Sequence, residues 1–283
     1  MRKYKLNENY FELINSEEKA YFLGFLFADG YVNEKLNMID LTLHNKDREI
    51  LNKFIEFLYP EGRPLAIIRN DYLRLVINSK KITTDLKLQG CFQKKTFNLK
   101  FPETINKFLV KHFIRGYFDG DGCVTINKNT LNIAIVGTID FLNGIKEILN
   151  EECKLNETTY DNRHPSRKNN IRALRFGGNI IINRIYHYMY DDSRIYLNRK
   201  RKIFLSILEN KDYFCNKNYS RVTHQKYFEY KEKQYTKSEL SKILSNEIGS
   251  PAVTIRKKLT NGWTIDEIIN TLPNQWRKKN NII

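Results

Sequence analysis

At 283 residues, with 41% hydrophobic and 13% aromatic content, the chain is too apolar for a disordered polymer and longer than one average domain. Forty-eight Lys and Arg against 32 Asp and Glu leave a formal charge of +16, which points to a polyanionic partner, nucleic acid ahead of an acidic membrane surface. The longest uncharged apolar run, Ala20 to Ala28, covers nine residues, whereas a spanning helix needs about 20.

Met1-Arg-Lys-Tyr-Lys5 leads into polar residues without an apolar signal segment, so the expected location is cytoplasmic. Cys91, Cys123, Cys153 and Cys215 never form C-x-x-C, and the histidines show no paired-ligand spacing. Zinc modules, disulfide frameworks and histidine-based catalysis are therefore disfavoured.

In chain order, Ser16-Glu-Glu-Lys19 supplies an N-cap and early acids for a helix that Gly30 stops. Strands are predicted over Tyr31 to Asn33 and Met38 to Leu43, a helix over Asn45 to Leu58, strands over Leu65 to Arg69 and Tyr72 to Ile77, and a short helix over Lys80 to Leu88. The order then repeats. After a helix stopped by Gly122, Cys123 to Asn127 and Leu131 to Val136 are strand-like and Ile139 to Asn150 is helical. Strands near Glu157 to Asp161 and Arg172 to Phe176 follow, then a helix from Asn179 to Tyr190.

Beyond about Asn210 the chain is a polar linker up to Ser220, with an apolar-aromatic stretch at Tyr227 to Tyr230. A capped helix from Thr236 to Leu244, a second from Ser250 to Leu259 and a third beginning at Gly262 are predicted. The first two resemble a helix-turn-helix, whose second helix, with Arg256 and Lys257, would read DNA; Trp263 is assigned to the core. The expected organisation is a first half at 1–106, a second at 107–210 and a DNA-binding module at 211–283. The fold class is α+β, with two pseudo-symmetric αββαββα halves.

The two helix ends carry the chemistry. Phe22-Leu-Gly-Phe-Leu-Phe-Ala-Asp-Gly30 aligns without gaps with Ile114-Arg-Gly-Tyr-Phe-Asp-Gly-Asp-Gly122. Small residues recur at Ala20, Gly24 and Ala28 and at Gly116 and Gly120, a stripe that lets two helices approach closely. Asp29 and Asp121 then fall at helix C-termini, where the macrodipole and unpaired carbonyls are unfavourable to a carboxylate unless something positive compensates. If the helices pair, both carboxylates and the carbonyl oxygens of Ala28 and Gly120 converge into an all-oxygen site suited to Mg2+. Such sites serve phosphodiester cleavage. Asp119 faces Phe27 in the alignment and is read as a capping or packing residue. Strands carrying Arg69, Arg74, Arg163, Arg167, Arg172 and Arg175 suggest a basic, solvated sheet face for DNA.

The nonapeptides resemble the LAGLIDADG motif of homing endonucleases, the second closely and the first with Phe27 in place of an acid. The resemblance covers roughly residues 10 to 210. It implies that the final acids, Asp29 and Asp121, hold metal, with Mg2+ or Mn2+ supporting cleavage and Ca2+ able to bind without it. It also implies a single-chain, pseudo-symmetric monomer that seats saddle-like sheets in the major groove of a long double-stranded DNA site and leaves short 3′ overhangs. A basic residue after each half's last helix maps onto Lys95 and Lys200, with Lys94 and Arg199 as competitors, and would polarise water or offset phosphate charge. The rival expectation is a non-cleaving regulator or an RNA maturase. An intein is disfavoured because Met1 offers no nucleophile and the chain ends Asn280-Asn-Ile-Ile283.

Overall fold

The computed structural model describes residues 3–68, 71–93, 97–155, 170–210, 227–231 and 233–271. The chain divides into two compact units, 1–214 and 215–283.

The first unit is built on α1 (Glu17–Ala28). Ser16, in extended conformation, accepts the Lys19 amide at 3.4 Å, and Glu17 and Glu18 occupy the first turn, where the helix dipole favours acids. Tyr21, Phe22, Leu23, Phe25, Leu26 and Phe27 are all buried, so α1 is covered around its whole circumference, as a central helix must be. The strands β1 (Tyr31–Asn33) and β2 (Met38–His44) follow. A 3-10 turn over Asn45–Asp47 leads into α2 (Arg48–Leu58), then β3 (Ala66–Ile68), β4 (Tyr72–Asn78) and α3 (Lys80–Leu88). These strands form an antiparallel sheet in the order β1-β2-β4-β3.

The second repeat begins with α4 (Lys107–Asp121) and continues through β5 (Gly122–Asn127), β6 (Thr130–Thr138), α5 (Ile139–Glu152), β7 (Ile171–Gly177) and α6 (Asn179–Tyr190). Its described strands form an antiparallel sheet ordered β5-β6-β7. The fold is therefore the expected α+β arrangement. The strand anticipated at Glu157 to Asp161 lies outside the described residues.

Each sheet buries one face. Ile39, Leu41 and Leu43 on β2 and Leu73, Leu75 and Ile77 on β4 are buried, while the alternating residues, among them Thr42 and Arg74, point away from the core. Both repeats feed one continuous core in which Phe27, Phe113, Phe118, Phe141 and Phe204 are almost fully enclosed.

One helix was not anticipated. Residues read as a basic run after the last helix are the first turn of α7 (Asn198–Leu208), which buries Lys200, Phe204 and Ile207 along one stripe.

The second unit has its own core of Leu240, Leu244, Ile255, Leu259 and Ile268, against which Trp263 packs as expected. Its helices are α8 (Lys237–Ile248), α9 (Ala252–Thr260) and α10 (Ile265–Asn270). A hairpin of β8 (Tyr227–Tyr230) and β9 (Lys233–Thr236) precedes them; the aromatic stretch at Tyr227 is its first strand. Gly249, at φ +67°, ends α8 three residues beyond the expected stop near Ser245.

Candidate metal centre at the paired helix ends

The small-residue stripe brings α1 and α4 into backbone contact. A Cβ on Gly24 would lie 2.9 Å from the Tyr117 amide nitrogen, and one on Gly116 2.8 Å from the Tyr21 carbonyl carbon, both inside van der Waals contact. Gly120 packs on the Ala28 methyl, and a Cβ there would stand 3.1 Å from Asp29 Oδ2. The Asp29 carboxylate of the first motif thus lies beside the last turn of the second motif's helix.

The two ends differ in detail. Asp29 is the C-cap of α1, its amide donating to Phe25 O at 2.9 Å, whereas α4 runs through Asp121 and leaves as extended chain at Gly122. Neither Gly30 nor Gly122 adopts a left-handed conformation. A Cβ at Gly30 would meet the Leu26 side chain at 2.7 Å, and one at Gly122 would collide with the Phe118 ring. Both glycines follow the helix ends as expected from sequence, and what excludes a side chain there is crowding against the preceding turn.

Both carboxylates are exposed, and they act on the same two neighbours. Burial, then the charges of Asp121 and Asp29, push the Tyr117 phenol above its usual range; its hydroxyl donates to Val136 O at 2.8 Å. Burial pulls the Lys200 ammonium down to about 8, while Asp119, Asp29 and Asp121 act to raise it. Beside Asp121, a cavity of about 110 Å³ is lined by Ala28, Tyr117, Val136, Gly137 and Thr138.

Lys200 meets the α4 terminus directly. Its ammonium donates to the carbonyl oxygens of Phe118 (2.7 Å), Asp119 (2.7 Å), Gly120 (3.2 Å) and Gly122 (2.5 Å). This is the positive charge that the helix end requires. Arg199 points elsewhere, its guanidinium forked on Asp47 at 2.9 and 3.1 Å. Lys94 and Lys95 lie outside the described residues.

Asp119, 1% exposed, accepts from the hydroxyls of Tyr21 (2.8 Å) and Tyr190 (2.9 Å) and from the Leu197 amide (2.7 Å). Burial pushes its carboxyl up, and Lys200 with these three donors opposes that. It is a packing and hydrogen-bonding centre joining α1, α6 and the entry to α7. Phe27, its counterpart, packs edge-on against Phe113 with centroids 5.1 Å apart.

Other predicted positions are more dispersed. Arg74 pairs with Asp40 across the outer face of the first sheet, at 2.5 and 2.9 Å. Arg175 is exposed on β7, but Arg172 has the parity of buried Leu174 and Phe176, so the pleat does not give the two arginines a common face. Arg69, Arg163 and Arg167 lie outside the described residues. On α9, Arg256 and Lys257 are exposed, with Arg256 donating to Ser238 Oγ at 2.9 Å.

Two exposed carboxylates at adjoining helix ends are oxygen donors of the kind a hard cation takes, while the Gly120 carbonyl accepts from Lys200. Among the described residues no group of three or more His, Cys, Asp or Glu is placed to hold a metal ion, and this centre brings only two exposed carboxylates. The sequence reading missed Tyr21, Tyr117, Tyr190 and the Leu197 amide as members of this centre. The apolar spacing of Phe204 and Ile207 was the available sign that α7 would carry Lys200 inward.

Residues 109–189, from the helix of the second motif to α6, match the LAGLIDADG-like domain family. That part of the chain is therefore similar to a LAGLIDADG-like domain. The probable translation initiation factor IF-2 of Methanocaldococcus jannaschii is 33% identical over 46% of this chain but only 11% of that protein. The replication factor C small subunit of the same organism is 27% identical over 42% of this chain and 7% of its own length. An uncharacterised protein of that organism is 28% identical over 40% of this chain and 44% of its length. The alignments thus span less than half the length of each curated relative, and a minor part of the first two.

Among solved structures, the LAGLIDADG meganuclease I-AabMI bound to uncleaved DNA is 13% identical, covering 74% of this chain and 96% of that one, with a TM-score of 0.48. The I-LtrWI LAGLIDADG homing endonuclease bound to target DNA is 12% identical over 77% and 96%, with a TM-score of 0.44. No helix among the described residues is long and apolar enough to cross a membrane.

Proposed function

We propose that this chain is a site-specific double-strand DNA endonuclease, a metal-dependent phosphodiester hydrolase working as a monomer on a long target site in the homing of the intron or insertion that encodes it. The carrying observation is that Asp29, from the first repeat, stands beside Gly120 in the last turn of the second repeat's helix, the turn that ends at Asp121.

In this reading Asp29 and Asp121, with the Ala28 carbonyl, hold a divalent cation, Mg2+ or Mn2+; the Gly120 carbonyl named with them from sequence accepts from Lys200 instead. Such a cation activates water and stabilises the leaving oxygen in phosphodiester hydrolysis. Lys200 fixes the last turn of α4 and places positive potential beside Asp121, where a phosphate's developing charge is offset. Lys95, the counterpart of Lys200 in the sequence alignment of the two halves, is assigned the same role. The sheets, through Arg74 and Arg175, and α9, through Arg256 and Lys257, supply phosphate and base contacts. Arg69, Arg163, Arg167, Arg172 and Arg199 complete the set named from sequence, Arg199 after exchange of its Asp47 partner.

The test uses a duplex spanning the uninterrupted host locus, with Mg2+ or with EDTA. Wild-type protein is expected to cut both strands with Mg2+ only, and Asp29→Asn and Asp121→Asn to bind without double-strand cutting. Wild-type cutting rates in both variants would remove the metal assignment. Binding without cutting by the wild type would favour a regulator, or, if intron splicing is stimulated, a maturase.

A further inference from the structure

The end of α4 remote from Asp121 opens on a groove. Fifteen helical residues at 1.5 Å per residue place the two ends about 20 Å apart. The groove, about 1020 Å³, lies between the first turns of α4, the end of α5 and one side of α6.

Its charge is lopsided. Lys107 and Lys111 stand one turn apart on α4, Lys154 follows α5, and Arg184 reaches across from α6 to donate to Lys154 O at 3.1 Å. Among the described residues none of these four is in a salt bridge. Opposing them are Glu152 and Asp191, and Asp191 is engaged by His187 at 3.0 Å. Buried His112 is turned to Arg115, 2.8 Å away.

Two features separate this patch from an ordinary solvated surface. The first turn of α4 carries Lys107 and no acid, although the helix dipole favours the reverse, so the cation is kept against the helix's own electrostatics. Between the lysines, Phe108 holds its ring 72% exposed, with the Lys107 ammonium 5.2 Å from its centroid. A cationic groove with an aromatic face is the pattern that follows a sugar-phosphate backbone and stacks a base. A duplex offers no free base faces, so the aromatic ring argues for a single strand.

We propose that this groove binds single-stranded nucleic acid, phosphates lying against Lys107, Lys111, Lys154 and Arg184 and one base stacked on Phe108. The surface is separate from the paired helix ends and does not depend on cleavage.

The test is fluorescence anisotropy of a labelled thymidine 12-mer with the full-length protein. Phe108→Ala is expected to weaken binding about tenfold. Lys107→Gln/Lys111→Gln is expected to flatten the dependence of log affinity on log salt by about 1.4, from about 0.7 per lost single-strand phosphate contact. Duplex affinity should be unchanged in both; all three side chains are at the surface, and thermal melts confirm folding. Wild-type affinity for the 12-mer in both variants, or no binding by the wild type, would overturn the proposal. So would a parallel loss of duplex affinity, which assigns the groove to the duplex surface. Displacement of the 12-mer by poly-glutamate at equal charge concentration would point instead to an acidic protein segment.

Discussion

Gly116 lies so close to the Tyr21 carbonyl that a Cβ on it would stand 2.8 Å from the carbonyl carbon and 3.1 Å from the Phe25 amide nitrogen. The obstacle is backbone on a neighbouring helix, which cannot rotate aside, so the α1–α4 spacing is set by this residue and by Gly24 in the reciprocal position. At exposed Gly177, in contrast, the nearest atom to a Cβ would be the Asn132 side-chain oxygen at 2.7 Å, the far end of a side chain that can turn away.

Gly116→Ala is accordingly expected to lower unfolding free energy by about 3 kcal/mol, the upper range for overpacking, and Gly177→Ala by about 1 kcal/mol. Urea denaturation compares them. Equal midpoints would mean that the helix pair accommodates a methyl and that the stripe does not determine the approach.

The Lys200 ammonium serves four carbonyl oxygens, and its charge opposes the effect of burial on the Asp119 carboxyl. Lys200→Met keeps much of the apolar stem but removes the donors. The α4 end loses its compensating charge, and Asp119 becomes a buried carboxyl without it. A loss of about 3 kcal/mol is expected. An unchanged denaturation midpoint would show that the ammonium is not committed to the helix end.

Stability should also fall in mild acid through His112. Its Nδ1 faces the Arg115 guanidinium at 2.8 Å and must accept there; burial first, then Arg115, hold its pKa down at about 4 against 6.5. The unfolded chain binds the proton more readily, so the contribution is intact above pH 6.5 and is lost as pH falls toward 4. At Glu17 the Arg194 and Ile195 amides and Arg115 outweigh burial and hold its carboxyl below the ordinary carboxylate range. Between pH 7 and 4.5 the His112 contribution is about 2 kcal/mol. His112→Gln, which can still accept from Arg115, should shrink the stability difference between those pH values by about that amount in denaturant titrations.

What sequence conveyed about this centre was what repeats carry: the order of elements, the paired small residues and the two final aspartates, all visible because one half restates the other. Asymmetric features were harder to read. Asp119 has no partner in the first half, and its role depends on Tyr190 and Leu197, far along the chain, which only tertiary packing brings to it. Lys200 stood out as part of a basic run, but its inward direction follows from α7, whose helical stripe was masked by four basic residues in its first turns. The glycines were read from local propensity, and packing supplied the actual reason.

In the second unit, α9 offers a test that separates charges of identical sign. Ile255 and Leu259 face the core, while Arg256 and Lys257 are exposed on the other side. Lys258 differs from both: its ammonium lies 5.0 Å from the Trp263 ring centroid, a cation–π contact that ties it to the module's own packing. If α9 lies against duplex DNA, Arg256→Ala and Lys257→Ala remove phosphate contacts, and each should reduce the slope of log affinity against log salt by about 0.9. Lys258→Ala should leave that slope nearly intact and lower the thermal stability of the module, with about 0.5–1 kcal/mol lost with the ring contact. Filter binding to the target duplex over a salt series, paired with melts of each variant, measures both. An unchanged slope for Arg256→Ala and Lys257→Ala would exclude α9 from the duplex and leave the module a packing role.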